Sequence, residues 1–275
     1  MTELRRIPAT AKLNLALVVG PRRDDGKHEL ATVYQRVDLA DRVELAPAPA
    51  LRVDGFAEDT LVRRALETLA EAAGIEPRWR ARIHKRIPVA GGLGGGSADA
   101  AAALRLANET LAEPLAPERL HELARDLGAD VPFFLTDGPQ LGEGDGGDLS
   151  PLDLPQDYFV LLLLPDGAAK QSTAAVYAAF DDRGGERGFD ERRAALRDAL
   201  ARVRRPRDLA ALPENDLASS PLGAELRALG AFRADVSGAG PTVYGLFAHR
   251  RDAEAARRAL KGRGRVWITV PAWYG

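Results

Sequence analysis

Between Gly91 and Ser97 the chain reads Gly-Gly-Leu-Gly-Gly-Gly-Ser, five glycines within six positions. Glycine takes up positive φ without steric cost and lets a backbone come close to a ligand. Where such a loop feeds a helix, its amides converge on an anion and the helix dipole favours negative charge. Phosphate is the usual occupant. Ser97 sits where it can cap that helix or donate its hydroxyl to a phosphate. The spacing is not the Walker pattern, because no Lys-Ser or Lys-Thr follows the last glycine. It is also a poor dinucleotide fingerprint, which wants an initial βαβ unit and an acidic residue about twenty positions on. A glycine turn without a ligand is the competing reading, and the backbone entropy lost on ordering it argues against that. A second turn, Ser237-Gly238-Ala239-Gly240, offers either further amides for phosphate or a tight hairpin with no ligand.

The elements around these turns follow from periodicity. Leu13 to Val19 predicts a buried strand, followed by the polar turn Pro21 to Gly26. Val33 to Leu39 and Arg42 to Leu45 read as two strands parted at Ala40-Asp41, and the prolines of Ala46 to Ala50 mark a loop. Thr60 is placed to cap a helix with the apolar face Leu61, Ala65, Leu66, Leu69 and Ala73, ended by Gly74. Trp79 to Ile83 predicts a strand leading into the glycine loop, and Ala98 to Leu111 a helix leading out of it. A helix over Pro117 to Leu127 stops at Gly128. Leu141 to Ser150, rich in glycine and acidic residues, reads as a loop, and the Pro-containing stretch Ser150 to Gln156 as a soft domain boundary. Beyond it come a strand over Phe159 to Leu164 and helices over Thr173 to Phe180, Glu191 to Val203 and Leu222 to Leu229. A strand over Thr242 to Phe247, a helix over Ala253 to Leu260 and a strand over Val266 to Val270 complete the chain. Several strands are adjacent, which predicts an α+β fold with antiparallel sheets.

Composition narrows the function classes. The 275 residues are 45% hydrophobic and 28% charged, with a formal net charge of -2. That balance lacks the basic excess of a protein held to nucleic acid by phosphate contacts. There is no cysteine, so disulfides, thiolate metal sites and a cysteine nucleophile are excluded. The longest apolar run, Phe159 to Leu164, is far too short to span a bilayer. Arg5 and Arg6 precede an apolar stretch, but Asn14 interrupts it and no small-residue cleavage site follows. A cytoplasmic enzyme or small-molecule binding protein is the expectation, with neither nucleic acid nor membrane as partner.

Segment by segment, the chain resembles the GHMP kinases over nearly its whole length. Pro88-Val89-Ala90-Gly91-Gly92-Leu93-Gly94-Gly95-Gly96-Ser97-Ala98-Asp99 is similar to the family's phosphate loop. Ala11-Lys12-Leu13-Asn14-Leu15 and Leu127-Gly128-Ala129-Asp130-Val131-Pro132 resemble the segments that hold its reacting pair. Asp25-Gly26-Lys27-His28-Glu29-Leu30, Ser172 to Tyr177, Glu214 to Leu217 and Asp235 to Thr242 resemble its substrate-side elements. The resemblance implies a two-domain fold, with a ribosomal-protein-S5-like α/β domain over 1–154 and a ferredoxin-like α/β sandwich over 155–275. The active site would lie in the cleft between them.

The resemblance also implies ATP and Mg2+ as cofactors, with Lys12 and Asp130 as catalytic residues. Asp130 would accept the proton of the substrate hydroxyl, and Lys12 would favour the charge that develops. Pro88 to Ala98, Lys85 and Thr60 would bind the nucleotide. Asn14, Lys27, His28, Tyr177, Ser237, Gly238 and Gly240 would bind the substrate. The triple glycine Gly94 to Gly96 is typical of a branch whose substrate is a cytidyl diphosphate sugar alcohol. In it His28 would read the cytosine edge and Tyr177 would supply one aromatic face. A monomer or weak homodimer is expected.

Some positions depart from the family pattern. Lys27 replaces a tyrosine, which removes one aromatic face and supplies a cation for the base or the diphosphate. Thr10 replaces a proline, Thr60 an asparagine at the adenine, and Ala98 a second serine of the loop. Gly96 stands where relatives have a metal-binding serine, so no metal ligand is assigned. Leu141 to Gly147 is an altered version of a family segment. The alternatives are another kinase of this family acting on homoserine or mevalonate, or a relative that binds without catalysis. A serine hydrolase using Ser97 or Ser237 lacks a nucleophile elbow.

Overall fold

The computed structural model describes residues 4–56, 61–168 and 172–272. Thr60 lies outside them. Two long strands, β1 (Arg5–Arg22) and β2 (His28–Pro47), form an antiparallel pair at the heart of the first sheet. β3 (Arg52–Asp54), β4 (Trp79–His84), β5 (Gln140–Gly144) and β6 (Asp148–Pro151) complete it in the order β3-β4-β2-β5-β6, with β1 also on β2. β3 and β4 pair in parallel, and the crossover between them holds helix α1 (Leu61–Ala72). Residues 152–158 carry the chain to a second sheet of β7 (Phe159–Pro165), β8 (Arg233–Val236), β9 (Val243–Phe247) and β10 (Gly264–Thr269), in the antiparallel order β10-β7-β9-β8. The α+β class with antiparallel sheets is as expected.

Burial explains the apolar runs. One core packs Val43, Leu45, Ile83, Leu66, Leu104 and Phe133 between the first sheet and α1, α2 (Gly95–Asn108) and α3 (Pro117–Leu127). A second joins the two sheets: Leu13, Leu15, Val33 and Val37 meet Val160, Leu162, Tyr244 and Leu246. Leu161 and Leu163 point the other way, toward α6 (Pro221–Ala228) and α7 (Arg250–Ala259). Strand β7 is therefore apolar on both faces, as a doubly covered strand must be. α4 (Thr173–Asp182) and α5 (Phe189–Arg202) complete the helices. No helix among the described residues is long and apolar enough to cross a membrane.

The structure corrects three local expectations. The break at Ala40-Asp41 is a register shift inside one continuous strand, with Thr10 opposite Ala40 and Ala11 opposite Val37. Asp41 is tolerated there because its carboxylate pairs with Lys85 and accepts from the amides of Arg86 and Ile87. The expected loop over Leu141 to Ser150 is the β5–β6 hairpin, whose Gly142 packs under the Tyr34 ring, a common reason for glycine in a strand. Helix α2 starts at Gly95, three residues before the expected Ala98, with Gly94 at φ 68° as its cap. Ser97 is therefore not the capping residue.

Candidate active site

The glycine loop is built by its contacts. The Lys12 amide donates to Leu93 O at 3.0 Å, and the Thr242 amide to Gly91 O at 3.2 Å. Gly92 and Gly94 have φ 78° and 68°, a region that side chains other than glycine rarely enter. A Cβ on Gly94 would lie 2.9 Å from Lys12 Cγ and 3.0 Å from Phe134 Cζ. The loop thus sits directly on Lys12, and Gly94 and Ser97 at the start of α2 line the same space, where the unpaired amides of a first helical turn can meet an anion.

The loop, Lys12, Asp130 and the second glycine turn line one cleft of about 670 Å3. Lys12 Nζ is 3.2 Å from Asp130 Oδ2 and donates to Asn14 Oδ1 at 2.7 Å. Lys12 and Asn14 share a face because strand side chains alternate. Asn14 Nδ2 donates to Thr32 Oγ1, whose hydroxyl donates to Ala16 O. Tyr34 completes the cluster. It is 2% exposed, lies across the sheet from Asn14, sits under the Lys12 ammonium at 5.3 Å and has its phenol within the influence of the Asp130 carboxylate. Burial, with the Asp130 charge added, pushes the Tyr34 phenol well above its ordinary pKa. It therefore stays neutral beside the carboxylate.

At the other end of the cleft, His28 Nε2 is 2.7 Å from Asp181 Oδ1. Its ring stacks on Tyr177 with centroids 4.7 Å apart and meets Phe180 edge-on. The hydrogen bond from His28, aided by Arg22 against the cost of burial, holds the Asp181 carboxyl below its usual range. With rings at 4.7 Å, no base fits between His28 and Tyr177. A base stacked on Tyr177 must use its other face or displace His28. Lys27 Nζ pairs with Asp145 Oδ2 at 2.6 Å on the cleft rim. Burial opposes ionisation of Asp145, but Lys27 and the Gly147 amide outweigh it and lower its pKa.

Other residues singled out from sequence face elsewhere. Ser237 is fully buried and donates to Gly92 O at 2.9 Å. It latches the second glycine turn onto the first and does not face the cleft, whereas Gly238 and Gly240 do. Asn215 holds that turn from behind, donating to Val236 O and Gly238 O. Lys85 is engaged by Asp41 and Asp99 and is not among the cleft residues. Their charges raise its pKa against the opposing cost of burial. Ala98 is buried at 2% and Val89 is exposed at 53%. Sequence reasoning missed Tyr34, Thr32, Asp145 and Asp181. The signal for Tyr34 and Thr32 was their period-two spacing on the strand opposite Lys12 and Asn14.

Among the described residues, no group of three or more His, Asp or Glu converges to hold a metal ion. The groups present fit phosphate better than a protein-held ion: backbone amides, a lysine and the Ser97 hydroxyl.

Comparisons with known proteins agree with this arrangement. The family model for the GHMP kinases N terminal domain matches residues 60–138, and that for the GHMP kinases C terminal matches residues 221–266. A 4-diphosphocytidyl-2-C-methyl-D-erythritol kinase of Pelotomaculum thermopropionicum is 40% identical, covering 91% of this chain and 90% of its own. The crystal structure of a 4-(cytidine 5'-diphospho)-2C-methyl-D-erythritol kinase superposes with a TM-score of 0.79 at 33% identity, covering 98% of this chain and 99% of that one. The Methanococcus jannaschii mevalonate kinase shares the fold at a TM-score of 0.75 and 14% identity, covering 99% of each chain. The chain belongs to the GHMP kinase family, alongside those relatives.

Proposed function

We propose that the protein transfers the γ-phosphoryl group of ATP to the 2-hydroxyl of 4-diphosphocytidyl-2-C-methyl-D-erythritol, a step in the non-mevalonate route to isoprenoid precursors. The observation that carries this reading is the Lys12–Asp130 pair at 3.2 Å, set between a glycine-lined phosphate cradle and the His28–Tyr177 end of one cleft. Asp130 takes the proton of the 2-hydroxyl as the new oxygen–phosphorus bond forms and ADP leaves. Lys12 offsets negative charge at the reacting oxygens, and Asn14 and Tyr34 fix the pair. The loop amides and Ser97 hold the phosphates. Mg2+, when bound with the nucleotide, would neutralise phosphate charge, and no side chain of the cleft is assigned as its ligand. This reading keeps the division at 154/155, with the site in the cleft, places the reaction in the cytoplasm, and needs no more than a monomer or weak homodimer.

ADP release measured with the cytidyl substrate, homoserine and mevalonate tests the proposal. Turnover of the cytidyl compound alone is expected. Equal turnover of homoserine, or none of the cytidyl compound, would sink it. Two variants probe the finer roles. Lys27→Met removes a cation from the rim, so KM for the cytidyl substrate should rise about fivefold, with KM for ATP unchanged. Tyr34→Phe removes the phenol beside Asp130, so kcat should fall about tenfold with both KM values close to wild type. A KM effect from Tyr34→Phe instead would place Tyr34 in substrate binding.

A further inference from the structure

Behind the reacting pair lies a buried cation that the proposed chemistry does not use. Arg36, on β2, is 3% exposed. Its guanidinium donates to Phe133 O at 3.0 Å and to Thr136 O, and lies over the Phe133 and Phe134 rings. None of these partners carries a formal charge. Its Nε is buried with no hydrogen-bond partner. Burial first, then the nearby charge of Arg105, lowers its pKa to about 10, with Asp137 in partial opposition. A buried charge that is only partly offset is costly, and a second like charge adds to the cost.

Arg36 and Arg105 line one cavity of about 20 Å3. Its other walls are residues 7–10 of β1, Ala98 and Ala102 of α2, and Phe134. They bring no carboxylate. The volume suits one water-sized species, and it is too small for a phosphate group. A water there would satisfy Nε but add no negative charge to offset the two guanidiniums. We propose that this cavity binds one small monovalent anion of chloride size, held between Arg36 and Arg105.

The site has a structural consequence. The carbonyls that Arg36 grips belong to the turn Pro132–Leu135 and its cap Thr136, which directly follow Asp130. Phe134, a wall of the cavity, also backs Gly94 of the phosphate loop. An anion that fixes Arg36 therefore steadies the segment carrying Asp130 from behind the cleft.

The test compares thermal stability in chloride and in gluconate at constant ionic strength and cation. Gluconate stabilises folded proteins generally by exclusion, so the quantity read is the chloride-minus-gluconate difference in wild type against Arg105→Ala. Wild type should gain about 3 °C in that comparison, by linkage of binding to folding. Crystals grown in bromide should show one anomalous peak between the two guanidiniums. Equal differences in wild type and Arg105→Ala, or a cavity without an anomalous peak, would overturn the site. Arg36→Met should lose the same anion dependence. If that variant fails to fold, Arg105→Ala, at a half-buried position, and the bromide crystals still decide.

Discussion

Asp130→Asn should lower kcat by a factor of about 10² to 10⁴ while ATP binds almost as tightly as to wild type. The substitution keeps the shape of the side chain but removes the base. The Lys12 ammonium, 3.2 Å away, loses its counter-charge and remains tied to Asn14 Oδ1 at 2.7 Å. The phosphate cradle is untouched, because the Lys12 amide bonds Leu93 O through the backbone. The loss should therefore fall on kcat, with KM for ATP within about twofold. Single-turnover rates and a nucleotide-binding titration on the same preparation separate the two effects. A rate near wild type would remove Asp130 as the base. A comparable loss of ATP affinity would mean that Asp130 shapes the nucleotide site instead.

What sequence shows of this site depends on how far each residue's partners lie. Lys12 and Asn14 stand two residues apart on a strand, so alternation alone puts them on one face. The glycine loop declares itself because few other uses explain that many glycines between a strand and a helix. Tyr34 is harder, since a tyrosine in an apolar strand reads as core, and at 2% exposed it is also core. Its second role, beside the Asp130 carboxylate, comes from chain folding nearly a hundred positions away. Asp181 and Asp145 meet His28 and Lys27 across 153 and 118 residues, beyond any local pattern. Asp41 misled in the opposite sense. It punctuates the strand by type, yet β2 runs through it because Lys85 and two amides satisfy its carboxylate. The resemblance implies a substrate contact for Ser237, and only packing shows its hydroxyl turned inward to Gly92 O.

That inward latch makes Gly92 a position where a single methyl group should damage the active site. Gly92 has φ +78°, and a Cβ there would overlap the Ser237 carbonyl oxygen and lie 3.0 Å from the Gly240 oxygen. Both obstacles are backbone, so no rotamer change relieves them. The left-handed conformation adds a cost of about 1 kcal/mol or more for alanine. Gly92→Ala must push the second glycine turn away from the first, breaking the bond from Ser237 Oγ to Gly92 O. Gly238 would move with it, and its Cβ position lies 3.3 Å from Asn14 Oδ1 and 3.8 Å from Lys12 Nζ. A displacement of about 1 Å at a reacting centre costs on the order of 100-fold in rate. Gly92→Ala should therefore lose about 100-fold in kcat/KM for ATP and unfold at a lower temperature than wild type. Gly96→Ala provides the contrast in stability. Its Cβ would come no closer than 3.5 Å to Leu61 Cδ1, and it lies inside α2, where alanine is favoured over glycine by roughly 0.5–1 kcal/mol. Thermal unfolding of the pair should thus shift in opposite directions, downward for Gly92→Ala and upward for Gly96→Ala. If both shifted alike, glycine content in general, and not the seating of one turn on the other, would set the stability of this loop.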